Sequence, residues 1–242
     1  MKRLLAFALI LCLPAVALGA EPSADKAEVK EALQALQDFI GEWQASGSPD
    51  KPRIDPRDPT WKETLSWAWR FKGDDAWLTL RVKDGKILKS GEMRYLPDKK
   101  VYLLTATDPD GKKLVFEGQL KGETLTLERV DPDTKATRQI KMNTAAEGVR
   151  FIYRVAHKDK GTTLWKKDYM VACTREGESL GKTEKKNECV VSGGVGTMPV
   201  SYKGETYYVC CSGCADAFKE NPEKYINEYK AKKAGKKKCN DD

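Results

Sequence analysis

Between Trp43 and Thr174 the sequence is cut into short runs by turn chemistry, and this regularity constrains the fold more than any other feature. After a first strand near Trp43, the candidate strands are residues 61–71, 76–82, 87–95, 101–107, 113–120, 123–130, 138–142, 149–157 and 163–173. Gly73-Asp74-Asp75, Asp84-Gly85, Pro97-Asp98, Pro109-Asp110-Gly111, Gly122-Glu123, Asp131-Pro132-Asp133 and Gly161 separate them. Glycine, proline and aspartate supply the backbone angles that tight turns need. Leu78-Thr79-Leu80-Arg81-Val82 and Tyr153-Arg154-Val155 alternate in the period-two manner of half-buried strands. About ten such strands in a meander predict a closed up-and-down antiparallel β-barrel, because closure removes exposed edges.

A helix is expected over residues 26–39, where Val29, Leu33, Leu36 and Ile40 share one face and Ser23 and Asp25 are plausible caps. Before it, Lys2 and Arg3 precede the apolar residues 4–16 and the small residues Ala17-Leu18-Gly19-Ala20. This is the layout of a secretory signal peptide over residues 1–20, so an exported protein, periplasmic or secreted, is expected. The apolar run is too short for a permanent anchor, and no transmembrane segment is expected. All cysteines but Cys12 follow it: Cys173, Cys189, Cys210, Cys211, Cys214 and Cys239. An oxidising compartment makes disulfides a reading for this even set.

Phe39-Ile40-Gly41-Glu42-Trp43, a short helix running into Gly-x-Trp on a first strand, resembles the opening of the lipocalin and calycin barrels. The resemblance implies a lipocalin-like barrel over residues 24–175 with a bore that can hold a small hydrophobic ligand. The six tryptophans, Trp43, Trp61, Trp67, Trp69, Trp77 and Trp165, all fall in this part. They read as core and barrel-end packing, or as the lining of a ligand cavity.

Residues 176–187 are polar and lysine-rich and read as a linker. Residues 188–229 carry the chemistry. Pro199 to Tyr202 and Thr206 to Cys210 form a hairpin around Lys203-Gly204. Gly213 allows a sharp turn, Ser212 can cap a helix through Cys214, Ala217 and Phe218, and Asn221 can cap a second helix opening on Pro222. Its apolar side is Tyr225, Ile226 and Tyr229. Cys210 leaves the strand end and Cys214 enters the first helical turn, so both sulfurs can face one point. Cys189, turned in by Gly193-Gly194, can add a third. A segment of about forty residues rarely holds a core without a staple, and the cysteines are its candidates.

Cys189, then Tyr202, Gly204, Tyr207 and Tyr208, then Cys210 and Cys214, then Phe218, Pro222 and Tyr225, resemble the YHS and TRASH family of small metal-binding domains. The resemblance implies that Cys189, Cys210 and Cys214 are metal ligands and that the domain takes part in handling or sensing heavy metals. Cys211 is additional, a fourth ligand or a resolving thiol. Sulfur donors suit a Zn(II) or Cu(I) ion as the cofactor.

Other readings stand beside this one. The cysteines can form a disulfide framework, and Cys211-Ser-Gly-Cys214 has the spacing of a thiol–disulfide pair, though no βαβ pattern surrounds it. Haem attachment fails because Ala215 stands where histidine is needed. Cys173 and Cys239 are left to pair or to stay free. The single histidine, His157, reads as an exposed turn residue; as a haem ligand or a partner to the sulfurs it would have to act alone. The chain holds 43 Lys+Arg against 36 Asp+Glu, a net charge of +7 without a basic stripe of the nucleic-acid-binding kind. Residues 230–242, with six lysines between 230 and 238, read as a solvated basic tail able to touch anionic surfaces. No nucleophile motif, phosphate loop or acid–base pair is present, so a non-catalytic protein is expected.

Overall fold

The computed structural model describes residues 24–52, 55–146, 148–175 and 187–238. The leader, most of the linker and Cys239 lie outside these residues. Helix α1 (Ala24–Gln34) is followed by a single helical turn (Gln37–Phe39) and then by ten strands. These are β1 (Gly41–Pro49), β2 (Trp61–Lys72), β3 (Asp75–Lys83), β4 (Ser90–Leu96), β5 (Val101–Thr107), β6 (Lys113–Lys121), β7 (Thr124–Val130), β8 (Thr137–Ala145), β9 (Arg150–Lys158) and β10 (Lys166–Arg175). Every consecutive pair is antiparallel, and β1 closes the barrel on β10. The expected mainly β architecture is therefore present.

It differs from the sequence reading in several places, among them β8, which runs Thr137–Ala145 where 138–142 is expected, and β10, which starts at Lys166 where 163 is expected. The first helix breaks at Gln34 and re-forms as a tighter turn, so Asp25 sits within its first turn. Strand β4 starts at Ser90, because Ile87 to Lys89 form the loop that tucks Leu88 over the barrel. His157 is part of β9, not of a turn. It is half-buried, with Nδ1 2.7 Å from Asp168 Oδ1.

Side chains at alternate positions point into the bore. Leu65, Trp67 and Trp69 of β2, Leu78 and Leu80 of β3, Met93, Leu104, Phe116, Phe151 and Val171 are all buried there. Trp43 joins them, its indole N–H donating to the Phe39 carbonyl at 2.9 Å while the Arg175 guanidinium lies over its ring. At about 1.5–3 kcal/mol for each large apolar side chain buried, this packing dominates the stability of the barrel. The tryptophans of the lower bore are core, as the packing reading expects.

Among the described residues, one acidic side chain is buried within the bore. Glu63 is 3% exposed and accepts hydrogen bonds from Tyr153 Oη at 2.6 Å and Trp61 Nε1 at 2.7 Å. Cys173 shares this interior. Burial, and then the nearby Glu63 charge, push its thiol well above the usual range. A thiol reagent at neutral pH should therefore leave Cys173 unmodified in the folded protein and modify it within the unfolding transition, which mass spectrometry of the labelled peptide would show.

Near the loops at the upper end, the bore opens into a cavity of 790 Å³. Leu114, Phe116, Ile140 and Val155 form its apolar floor, and Lys86, Arg129, Arg138 and several aspartates form its rim.

The opposite end carries the cysteine-bearing segment. Strand β1 begins at Gly41, opposite Trp67, so the part of β2 beyond Trp67 has no strand on that side. The small segment occupies the vacant edge. It comprises the short pair β11 (Asn187–Glu188) and β12 (Val195–Gly196), the hairpin β13 (Met198–Tyr202) and β14 (Glu205–Val209), and helices α2 (Ser212–Glu220) and α3 (Pro222–Lys238). Polar contacts tie it to α1: Gln34 Nε2 donates to the Ser192 carbonyl at 2.9 Å, and Lys30 pairs with Glu228 at 3.1 Å. Helix α3 does not stop at Tyr229. It runs on through the lysines to Lys238, exposed over residues 230–234, since lysine and alanine are good helix formers. Among the described residues no helix is long and apolar enough to cross a membrane.

Candidate metal centre

The hairpin turn uses Lys203 and Gly204, both at positive φ (49° and 82°), the left-handed pair that a two-residue turn demands. It returns β14 so that Cys210 follows directly on the strand end. Cys211 is extended and caps α2, and Ser212 is already the first helical residue. Cys211 thus holds the N-cap position expected of Ser212, without a side-chain capping bond. Asn221 does cap α3, with Oδ1 accepting from the Lys224 amide at 3.2 Å.

Cys189 arrives by a separate route. Its amide donates to the Gly194 carbonyl at 2.6 Å, the Gly193 amide returns to the Cys189 carbonyl at 2.9 Å, and Val190 bonds to Tyr208 of β14. Gly193, at φ +79°, makes this tight loop possible. The loop lays Cys189 beside the knuckle between β14 and α2.

The sulfurs of Cys189, Cys210 and Cys214 all lie within 4.8 Å of one another. Cys210 Sγ is 3.5 Å from Cys214 Sγ and 3.8 Å from Cys211 Sγ. Four thiolates at about 2.3 Å from one tetrahedral ion would sit about 3.8 Å apart. The spacing of Cys189, Cys210 and Cys214 therefore fits a thiolate-held cation, while Cys211 stands beside Cys210 but outside the group of sulfurs that all lie within 4.8 Å of one another. Cys173, Cys189, Cys210, Cys211 and Cys214 are all free thiols, so no disulfide staples the segment among the described residues. Of the cluster, Cys189 and Cys214 are 0% exposed and Cys210 and Cys211 are 8% exposed.

The electrostatics of the metal-free cluster are those of thiols sharing protons. Hydrogen bonds from the neighbouring Cys210 and Cys214 thiols pull Cys189 well below the usual thiol range, helped by the Ser192 hydroxyl and amide. Cys211, which shares the protons of Cys210 and Cys214 and accepts from the Cys214 and Trp69 amides, is likewise lowered. Cys210 and Cys214 are pushed up, first by their bonds to Cys189, because a donor thiol loses those bonds on ionising.

Two contacts escaped the sequence reading. Ser192 donates its amide to Cys189 Sγ at 3.4 Å, and its hydroxyl lies 3.3 Å from Cys210 Sγ. Trp69 of the barrel donates its backbone amide to Cys211 Sγ at 3.4 Å, and its indole N–H to Gln37 Oε1 at 3.0 Å. The Cys-Val-Val-Ser spacing could have suggested the first. Nothing local could have suggested the second, which spans 142 residues of sequence. His157 cannot join the sulfurs, because it lines the cavity at the other end of the barrel.

With three sulfurs converging on this hairpin and helix, the comparison with known families is decisive for the segment. Residues 197–229 match the family model of the YHS domain. The match takes in Cys210, Cys211 and Cys214, while Cys189 precedes the matched YHS residues and reaches the cluster only through the fold. No curated protein matches the chain. Among solved structures, the S-type phycobiliprotein lyase CPES from Guillardia theta aligns with 65% of this chain and 100% of its own, at 11% identity and a TM-score of 0.40.

Proposed function

We propose that the protein is an exported, non-catalytic metal-binding protein in which Cys189, Cys210, Cys214 and Cys211 hold one soft or borderline cation, Zn(II) or Cu(I), for handling, sensing or structure. The observation that carries this reading is the convergence of three buried sulfurs within 4.8 Å, with the fourth 3.8 Å from Cys210. The YHS match supports it from an independent direction. Thiolates prefer such cations, and four sulfurs drawn onto one ion would fill its tetrahedral positions and leave none for a reacting molecule. The barrel then serves as the scaffold against which the sulfurs are held. Protein purified without oxygen, then assayed for metal by elemental analysis and for free thiols, should hold one cation per chain with the four cluster thiols shielded. Protein that stays metal-free after full reduction and reconstitution with zinc or copper(I) would end this reading.

A second reading has the cavity of 790 Å³ behind it. The lower bore is filled by side chains, so a wholly hydrophobic ligand finds room only at the mouth, above Phe116 and Ile140 and below a charged rim. A small ligand with an apolar body and a polar end fits that chemistry. Because this mouth and the sulfurs lie at opposite ends, the two readings are compatible. Filling the floor with Ile140→Trp should abolish saturable binding of an apolar fluorescent probe and leave metal content intact.

A further inference from the structure

The sulfur cluster has one open side. Between the outer wall of β1, β2 and β3 and the small domain lies a cleft of 610 Å³. Cys210 and Cys211 line it, and they are the two cluster residues with any exposure. Cys189 and Cys214 do not line it and are sealed. Met198, a thioether, borders the same cleft. The remaining polar wall is strongly biased in charge: Arg70, Arg81 and Arg175 against one carboxylate, Glu42. Arg70 and Arg81 are held by no carboxylate among the described residues. Arg70 also reaches the start of α2, where a Cβ built on Gly213 would lie 3.2 Å from its Nη1.

Resting on the metal-binding reading, we propose that this cleft is the exchange site of the centre, and that it receives the cation as a complex with a small carboxylate-bearing thiol. Arg70 and Arg81 bind the carboxylates of the carrier, which places the carried cation against Cys211 and Cys210, while Arg175 is already held by the carbonyls of Asp38, Ile40 and Gly148. Exchange is then a ligand substitution. The bond between cation and carrier sulfur breaks, a bond between cation and the Cys211 thiolate forms, and the carrier leaves as a thiolate that takes the proton Cys210 gives up when that thiol ligates in turn. No electrons move, and each further substitution passes the cation inward toward Cys189 and Cys214. Met198 offers a weak sulfur contact on the way.

The test uses cobalt(II), whose bonds to thiolate absorb visibly, delivered to the reduced full-length protein as its mercaptopropionate complex or its mercaptoethanol complex. The two carriers share a thiol and differ in the carboxylate. In the wild-type protein the carboxylate complex should deliver faster by about tenfold at low salt, an advantage that salt screens away. In Arg70→Gln/Arg81→Gln that rate ratio should fall severalfold while the final cobalt content stays at one per chain. Arg81→Gln alone, remote from α2, should show part of the same loss if the double variant docks poorly. A rate ratio unchanged by both variants and by salt overturns the proposal. Failure of the wild-type protein to bind cobalt from either carrier, and zinc or copper(I) on reconstitution, overturns the metal reading beneath it.

Discussion

Cys214→Ser is expected to lose stoichiometric metal altogether. The residue is wholly buried, its sulfur is 3.5 Å from Cys210, and it stands in the first turn of α2, so a hydroxyl there removes one vertex of the cluster with no neighbour free to replace it. In small metal-stapled domains the cation contributes about 10–16 kcal/mol of folding free energy, more than a segment of this size gains from its own core. The loss should therefore appear twice. Elemental analysis should fall from one cation per chain to none, and the segment from Asn187 onward should become rapidly exchanging in hydrogen–deuterium measurements. The barrel peptides should keep their protection. Cys189→Ser should behave alike although its residue lies before the YHS match. A variant of either kind that keeps a full complement of metal would remove that cysteine from the ligand set. Cys173→Ser is the control, being buried in the bore away from the cluster.

The second large effect is expected from the mildest of substitutions. Gly213→Ala would place a Cβ 1.7 Å from the carbonyl oxygen of Trp69 and 2.7 Å from its carbon. On an exposed helix the same change would stabilise by about 1 kcal/mol. Here the sign reverses, because both partners are backbone and neither can rotate away. Overpacking of this kind costs about 1–3 kcal/mol or more, and the relief available is for α2 to lift off β2. Lifting α2 also withdraws Cys211 from the Trp69 amide. A lower thermal midpoint and a weaker metal affinity should thus appear together in Gly213→Ala. If affinity stays at the wild-type value while the midpoint drops, the docking of α2 on the barrel is not what organises the sulfurs.

The legibility of this protein in its sequence follows from how local each feature is. Ten strands could be read because each is bounded by its own turn residues, and hairpin pairing needs only neighbours. The knuckle could be read for the same reason: the Lys203-Gly204 turn, the helix start and the Asn221-Pro222 junction are all set within a few residues. The convergence of Cys189 was legible through the family resemblance and the Gly193-Gly194 loop. What could not be read depends on distant partners. The seating of Gly213 on Trp69, the bond from Gln34 to Ser192 and the placement of His157 at the far mouth are products of barrel closure. The extension of α3 through the lysines went unread for a different reason. A polar run has no periodicity, so intrinsic helix propensity was its only signal.

The vacant side of β2 beyond Trp67 gives the docking of the small domain a further meaning. A strand edge with unmet amide and carbonyl groups invites pairing with another chain. In this fold that invitation is declined by Cys211 and α2, whose own arrangement rests on the sulfur cluster. If the sulfurs hold a cation as proposed, its loss would loosen α2 and bare this rim at the base of the barrel, and the protein stripped of metal should self-associate more readily.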